Sequence, residues 1–253
     1  MMAGAAQATR AVPVKQAPAA LAPNGKRPFI QRLFTRIAPR YDWFNRLASC
    51  GLDQRWRRAA IAQGEVRPGD RVLDACAGTG DLAILCAQRL CGVGTVVGVD
   101  LNRDMLAHAQ RKQRTRRLAI SWLQADAEML PLATGSFDRV LIGFSTRNLS
   151  DLTAGLRELV RVLRPGGRLL ILETGRPSHP LVRLGYQAFL FTAARAIGFL
   201  LTGRVWPFTY LARSVQRFLT PQEMVARLES LDTEARYMPL SHGLASLYLA
   251  TKP

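Results

Sequence analysis

The stretch Val72–Asp81, VLDACAGTGD, constrains this chain more than any other. Val72, Leu73 and Asp74 read as the end of a buried strand, because an apolar pair runs straight into turn residues. Gly78 and Gly80 then let the backbone turn sharply and approach a ligand where a Cβ would collide. From Asp81, DLAILCAQRL carries the apolar spacing of a helix packed on a sheet. Strand, glycine turn and helix N-terminus together present free N–H groups to a nucleotide-type ligand. The spacing alone leaves that ligand open. Gly78-x-Gly80-x-x-Ala83 also fits a dinucleotide fingerprint, and Asp100 follows Gly80 by twenty residues, where an acid grips a ribose.

Repeated strand–helix units surround the turn. GTVVGVD (94–100) reads as a second strand with NRDMLAHAQRK as its helix, ISWLQADA (120–127) as a third strand and FDRVLIGF (137–144) as a fourth. A helical stripe over 151–163 is stopped by Arg164-Pro165-Gly166-Gly167, and RLLILE (168–173) is the fifth strand. This alternation implies a parallel sheet covered on both faces. Thr220-Pro221-Gln222-Glu223 is a capping box opening a helix over 221–231. ARYMPL and ASLYLATK, on either side of Ser241-His242-Gly243, close the chain as an antiparallel pair. With 253 residues, 48% of them hydrophobic, one core and one domain with additions are expected.

The additions lie at both sides of that core. Residues 1–28 are rich in Ala and Pro, hold Arg10, Lys15, Lys26 and Arg27, and contain no acid; the first acid is Asp42. They lack the apolar run of a secretory signal, so a disordered basic tail is expected, with a transit peptide as the alternative. Residues 29–63 are aromatic, basic and helical, interrupted at Pro39, and are placed as a helical lid. Residues 178–215 form a helical insertion. Within it RLGYQAFLFTAARAIGFLLT (183–202) is apolar for nearly a bilayer-spanning length, but Arg195 sits in its middle. Arg183, Gln187, Arg195 and Thr202 fall on one helical stripe, which fits a helix lying on a surface; a buried helix is the alternative. The net charge of +17 suits nucleic acid or an anionic membrane, unless it is a compositional habit of the genome. The cysteines Cys50, Cys76, Cys86 and Cys91 show neither metal spacing nor a disulfide framework, consistent with a reducing, cytoplasmic setting. The run RKQRTRR (111–117) reads as a solvated helix end.

The motifs FTRIAPRYDWFNRLASCGLDQRWRR, VLDACAGTGD, GVD followed by ML, ADAEMLPLATGSFDRV, GFSTRN, RVLRPGGRLLILE and HGLASLYLATK resemble the ubiquinone/menaquinone biosynthesis C-methyltransferase family, within the class I S-adenosylmethionine-dependent methyltransferases. The resemblance spans about residues 29–252. It implies an α/β Rossmann-like fold: a mostly parallel seven-stranded sheet with a C-terminal antiparallel pair and helices on both faces. It implies S-adenosyl-L-methionine as cofactor and a prenylated quinol as substrate, demethylmenaquinone methylation being the first expectation. C- or O-methylation of another aromatic small molecule on the same scaffold is the alternative.

The resemblance carries over site residues. Positions matching Thr79, Asp100, Asp126 and Ala127 bind cofactor in the family; Gly78, Thr79 and Gly80 would line its methionine moiety, Asp100 its ribose and Asp126 its adenine. Asp74 and Met105 are further cofactor candidates. Gly143 stands where the family often has a serine, so a side-chain contact is lost there. Phe144-Ser145-Thr146-Arg147-Asn148 departs mildly from Phe-Gly-x-Arg-Asn and keeps both polar side chains. Arg147 and Asn148 are the catalytic candidates with Tyr41; Asp42 and Asn45 would help close the pocket. Arginine is too strong a base to accept a proton, so Arg147 is expected to stabilise a phenolate or orient water. No metal ligands are expected. No nucleic acid partner is expected either, since GFSTRN is not an (Asp/Asn)-Pro-Pro-aromatic motif and no cysteine follows proline. Peripheral membrane contact is an expectation, and monomer and homodimer both stay open.

Overall fold

The computed structural model describes residues 23–253, and seven of its strands form one sheet in the order β3-β2-β1-β4-β5-β7-β6. The strands are β1 Arg71–Ala75, β2 Thr95–Asp100, β3 Ser121–Gln124, β4 Phe137–Gly143, β5 Leu163–Thr174, β6 Glu234–Leu240 and β7 Ala245–Thr251. β1 to β5 are mutually parallel, whereas β7 runs antiparallel to both β5 and β6. Strand order therefore reverses between β1 and β4, and the crevice over their carboxyl ends is where ligands of open α/β sheets bind.

The helices are α1 Pro23–Ile37, α2 Tyr41–Ala48, α3 Leu52–Gln63, α4 Asp81–Leu90, α5 Arg103–Arg116, α6 Leu152–Val162, α7 Pro180–Phe191, α8 Ala193–Thr202, α9 Trp206–Arg217 and α10 Pro221–Glu229. Local chemistry sets several of their starts. Asn102 accepts from the Asp104 and Met105 N–H groups at 3.0 Å to cap α5, and Asp151 caps α6 through Ala154 N at 3.0 Å. The Thr220/Glu223 capping box opens α10 as the sequence predicts.

The two faces of the sheet are covered by separate apolar clusters. α6 and α10 pack on one through Leu156, Leu159, Met224 and Leu228; α3 and α4 pack on the other through Ile61, Ile84 and Leu90. A third cluster joins the N-terminal helices to the insertion, with Leu33, Ile37 and Phe44 against Phe208 and, from α5, Met105. The lid is thus fastened to α9 by apolar contact, including Phe44 and Phe208 ring centroids 4.3 Å apart.

Several boundaries differ from expectation. Helix α1 begins at Pro23, inside the stretch assigned to a basic tail up to residue 28; residues 1–22 of that expectation lie outside the described residues. The third strand ends at Gln124, because Ala125–Met129 turn instead, with a lone bridge between Asp126 and Met129. Arg164–Gly167 does not separate helix from strand. It lies within β5, where a register irregularity against β4 and a positive φ at Gly166 absorb the turn residues. The apolar run 183–202 is two helices, α7 and α8, broken at Thr192 with φ −116° and ψ −84°. The single polar stripe is lost with the break, and so is the buried-helix alternative, since only 17% of the apolar window is buried.

Candidate active site

The chain leaves β1 at Ala75 and turns with positive φ at Cys76, Gly78 and Gly80 before α4 starts at Asp81. The two glycines serve different ends. A Cβ on Gly78 would meet nothing within 4 Å, so its left-handed backbone (φ 57°) borders open space. A Cβ on Gly80 would lie 2.6 Å from the Trp122 ring and 3.0 Å from Ala109 Cβ. Gly80 is absent from the cavity wall it was expected to line; it seats the turn on Trp122 and α5 instead.

A cavity opens over this turn, and the other cofactor candidates border it. Asp100, at the end of β2, accepts from Gly78 N and Asn102 N, one on each oxygen, both at 2.7 Å. These bonds aim the carboxylate and leave each oxygen a free lone pair, the geometry needed for a vicinal diol. Burial raises the Asp100 pKa, opposed by those two backbone donors. Asp74, 1% exposed, accepts from Ala83 N at 2.9 Å, and burial pushes its pKa up to about 7. Asp126 and Ala127 follow β3, with Asp126 Oδ1 fixed by Glu128 N at 2.9 Å. Met105 and Thr79 complete the wall with Gly143, where an added Cβ would sit 2.6 Å from Leu82 Cδ1.

Asp74, Asp81, Asp100, Asp126 and Glu128 face this cavity against Arg27 and Arg57. An acid-rich wall favours a ligand with ammonium and sulfonium charges and disfavours the diphosphate of a dinucleotide. The ambiguity of the glycine spacing is thereby resolved toward S-adenosylmethionine, which the residues present fit.

The N-terminal helices roof the cavity. Arg27 Nη2 of α1 reaches Asp126 at 2.8 Å and Glu128 at 3.1 Å, while Lys26 donates to the Leu149 carbonyl. From α2, Asp42 accepts from the Thr79 hydroxyl and pairs with Lys112 of α5 at 2.8 Å; Lys112 also pairs with Asp81. Burial pushes Asp81 up, but Lys112 and Arg57 together bring its pKa below the usual carboxylate value.

A second cavity of about 310 Å³, mostly apolar, lies beside the first between the lid, α7, α8 and α9. The two share Phe34, Tyr41 and Asn148. Burial raises the Tyr41 pKa, so its phenol is neutral and can donate; Asn45, Arg57 and Arg147 oppose the rise. Tyr210 donates to Asn148 Oδ1 at 3.3 Å. Arg147 borders only the second cavity. Its Nη1 donates to Phe144 O at 2.7 Å and to the Glu173 carboxylate, while its Nε is buried without a partner among the described residues. Arg147 is therefore one half of an ion pair with Glu173.

Three participants were invisible to sequence reasoning. Lys112 lies in the RKQRTRR run expected to be solvated, and its pairing with Asp42 of α2 and Asp81 of α4 draws it inward. Arg27 fell in the presumed tail. Glu173 closes an apolar strand, and a buried acid ending a strand of Leu and Ile is a signal that could have found it. His242, in the β6–β7 turn, is exposed and borders neither cavity.

The profile of the ubiE/COQ5 methyltransferase family matches residues 22–252. A demethylmenaquinone methyltransferase of Thermus thermophilus is 40% identical over 221 residues, covering 87% of this chain and all of that protein. The ubiquinone/menaquinone biosynthesis C-methyltransferase UbiE of Syntrophotalea carbinolica is 40% identical, covering 85% of this chain and 91% of that one. Among solved structures, a SAM-dependent methyltransferase from Aquifex aeolicus superposes with a TM-score of 0.57 at 17% identity, covering 77% of this chain and 88% of that one. The [4+2]-cyclase SpnF gives 0.67 at 16% identity, covering 92% and 98%. At such identities these two structures speak to the fold alone.

Proposed function

We propose, from the premise that this chain belongs to the ubiE/COQ5 methyltransferase family, that it methylates a ring carbon of a prenylated quinol, demethylmenaquinol first. The chain is an S-adenosylmethionine-dependent methyltransferase. The observation that carries the substrate reading is the junction of the cavities: an acid-lined chamber meets an apolar, aromatic one at Phe34, Tyr41 and Asn148. Relatives named demethylmenaquinone methyltransferase support the choice of quinol.

S-Adenosylmethionine supplies an electrophilic methyl group when bound. Asp100 would hold its ribose, Asp126 and the Ala127 N–H its adenine, and the Gly78–Thr79 backbone its amino-acid end. The remaining chemistry belongs to the acceptor. A quinol ring carbon is a weak nucleophile until a neighbouring hydroxyl loses its proton. Donors beside the apolar cavity stabilise the oxygen's growing charge. The Arg147 guanidinium, the Asn148 amide and the Tyr41 phenol supply these donors. Holding ring and methyl in line lowers the entropic part of the barrier.

The same reading includes peripheral contact with an anionic membrane. Leu181 and Leu184 of α7 and Phe199 and Leu200 of α8 are exposed, next to the elements that wall the apolar cavity. Arg183 and Arg204 stand among them, and the chain's net charge of +17 complements anionic lipid. Incubation with labelled S-adenosylmethionine and reduced demethylmenaquinone, followed by mass analysis of the ring, tests the assignment. A ring heavier by one methyl is expected; label on oxygen, or no transfer to any quinol, overturns it.

A further inference from the structure

The geometry points to Glu173 as a positioning residue that turns Arg147 from a free cation into an aimed, charge-balanced donor. This rests on the quinol reading above and adds a residue to it.

Glu173 is the next-to-last residue of β5, and only 1% of it is exposed. Four donors converge on its carboxylate. Oε1 receives the Arg147 guanidinium and Thr174 N at 2.8 Å; Oε2 receives the Thr146 hydroxyl at 2.7 Å and Arg147 N at 3.4 Å. A buried carboxylate so saturated has no lone pair left to take a proton from substrate, which removes Glu173 as a general base. Three of its four donors instead come from the short helical turn Thr146–Asn148, which it ties to the end of β5.

That tie determines what Arg147 can offer. Nη1 is committed to Phe144 O and Glu173, and a planar guanidinium held there cannot rotate freely. Nε is buried and unpaired, and Nη2 donates to nothing among the described residues. Arg147 borders the apolar cavity, so Nη2 is the uncommitted donor it can offer a ring oxygen, while the enclosed Nε stays behind it. The Glu173 charge balances the guanidinium. The site thus admits a neutral quinol and supports its oxygen by direction rather than by net charge. Without Glu173, the unbalanced cation would favour the phenolate in the ground state as well, and would lower the pKa of a bound quinol.

The test compares Glu173→Gln, Glu173→Asp, Arg147→Ala and the double variant Arg147→Ala/Glu173→Gln in quinol turnover, with adenosylhomocysteine titration as the folding control. Wild-type turnover is measured first, and its absence counts against the quinol reading rather than against this inference. Given turnover, Glu173→Gln lowers kcat by about tenfold or more and moves the acid limb of the kcat–pH profile about one unit lower. Glu173→Asp keeps the wild-type profile position with a smaller loss in kcat. The double variant is no slower than Arg147→Ala, as expected if one residue acts through the other. Multiplicative losses in the double variant, or an unmoved profile in Glu173→Gln, overturn the assignment. If Glu173→Gln does not bind adenosylhomocysteine, Thr146→Val serves in its place: it removes one donor to Glu173, and an unchanged kcat would likewise overturn the assignment.

Discussion

Lys112 Nζ and Asp42 Oδ2 lie 2.8 Å apart, joining α5 to the lid across the glycine turn. Seventy residues of chain separate them, and the contact meets Thr79 and Asp81 of the acid-lined cavity's wall. The same ammonium reaches Asp81, and the same carboxylate holds Thr79, so displacing α2 would break several polar contacts at once. Lys112→Met should therefore raise the adenosylhomocysteine off-rate by about three- to tenfold at low salt, a partly exposed pair contributing roughly 1 kcal/mol. Wild type should approach the variant as salt rises. Stopped-flow off-rates equal for both proteins at every salt concentration would detach this pair from cofactor release.

Asp100→Ala should weaken adenosylhomocysteine binding by about 10²-fold or more while leaving the protein folded. Two charge-assisted hydrogen bonds to the ribose would go, each about 1.5–3 kcal/mol. Gly78 N would also lose its acceptor and the glycine turn its anchor. Calorimetric titration returning wild-type affinity would be incompatible with the ribose assignment.

Asp74 makes the apoprotein sensitive to pH. Burial raises its folded pKa to about 7, well above the unfolded value of 3.8. Between those two values the folded state binds more protons than the unfolded one, so stability falls as pH rises through the window and stays reduced above it. Asp74→Asn keeps an acceptor for Ala83 N but has no charge to bury. Its stability advantage over wild type should widen by about 2.6 kcal/mol between pH 5 and pH 8, on the order of 1.4 kcal/mol per pKa unit. Denaturant melts at both pH values check this; parallel profiles would contradict it.

Flotation with vesicles tests the exposed apolar faces of α7 and α8. Binding is expected to anionic vesicles at low salt, to weaken at high salt, and to fall when Leu184 and Leu200 are both replaced by Ser. Absence of binding to anionic vesicles at low salt would remove the membrane from the account.

The fold was legible because its signals are local. The glycine turn, the Thr220 capping box and the order of the strands each depend on neighbours in sequence, and all appear, with the bounds of β3 and β5 shifted. Long-range pairing was not legible. Asp42 with Lys112, Arg27 with Asp126 and Arg147 with Glu173 unite residues 26 to 99 positions apart, and no pattern of spacing encodes them. Gly80 was only partly legible for a related reason. Its need for φ 80° is visible in the motif, but its packing on Trp122 is a tertiary fact. The break at Thr192 was missed because hydropathy runs unbroken across it, while the backbone does not.

Because the two cavities touch through so few side chains, the halves of this enzyme can be inherited separately. The carboxyl ends of β1 and β2, with the turn after β3, wall the acid-rich cavity, whereas residues 180–217 shape much of the apolar one. On the proposed function, a lineage that exchanged that helical segment would reshape the acceptor cavity and leave the acid-lined one whole. Phe34, Tyr41 and Asn148 are the places where such retooling would meet resistance, since a change there is felt on both sides.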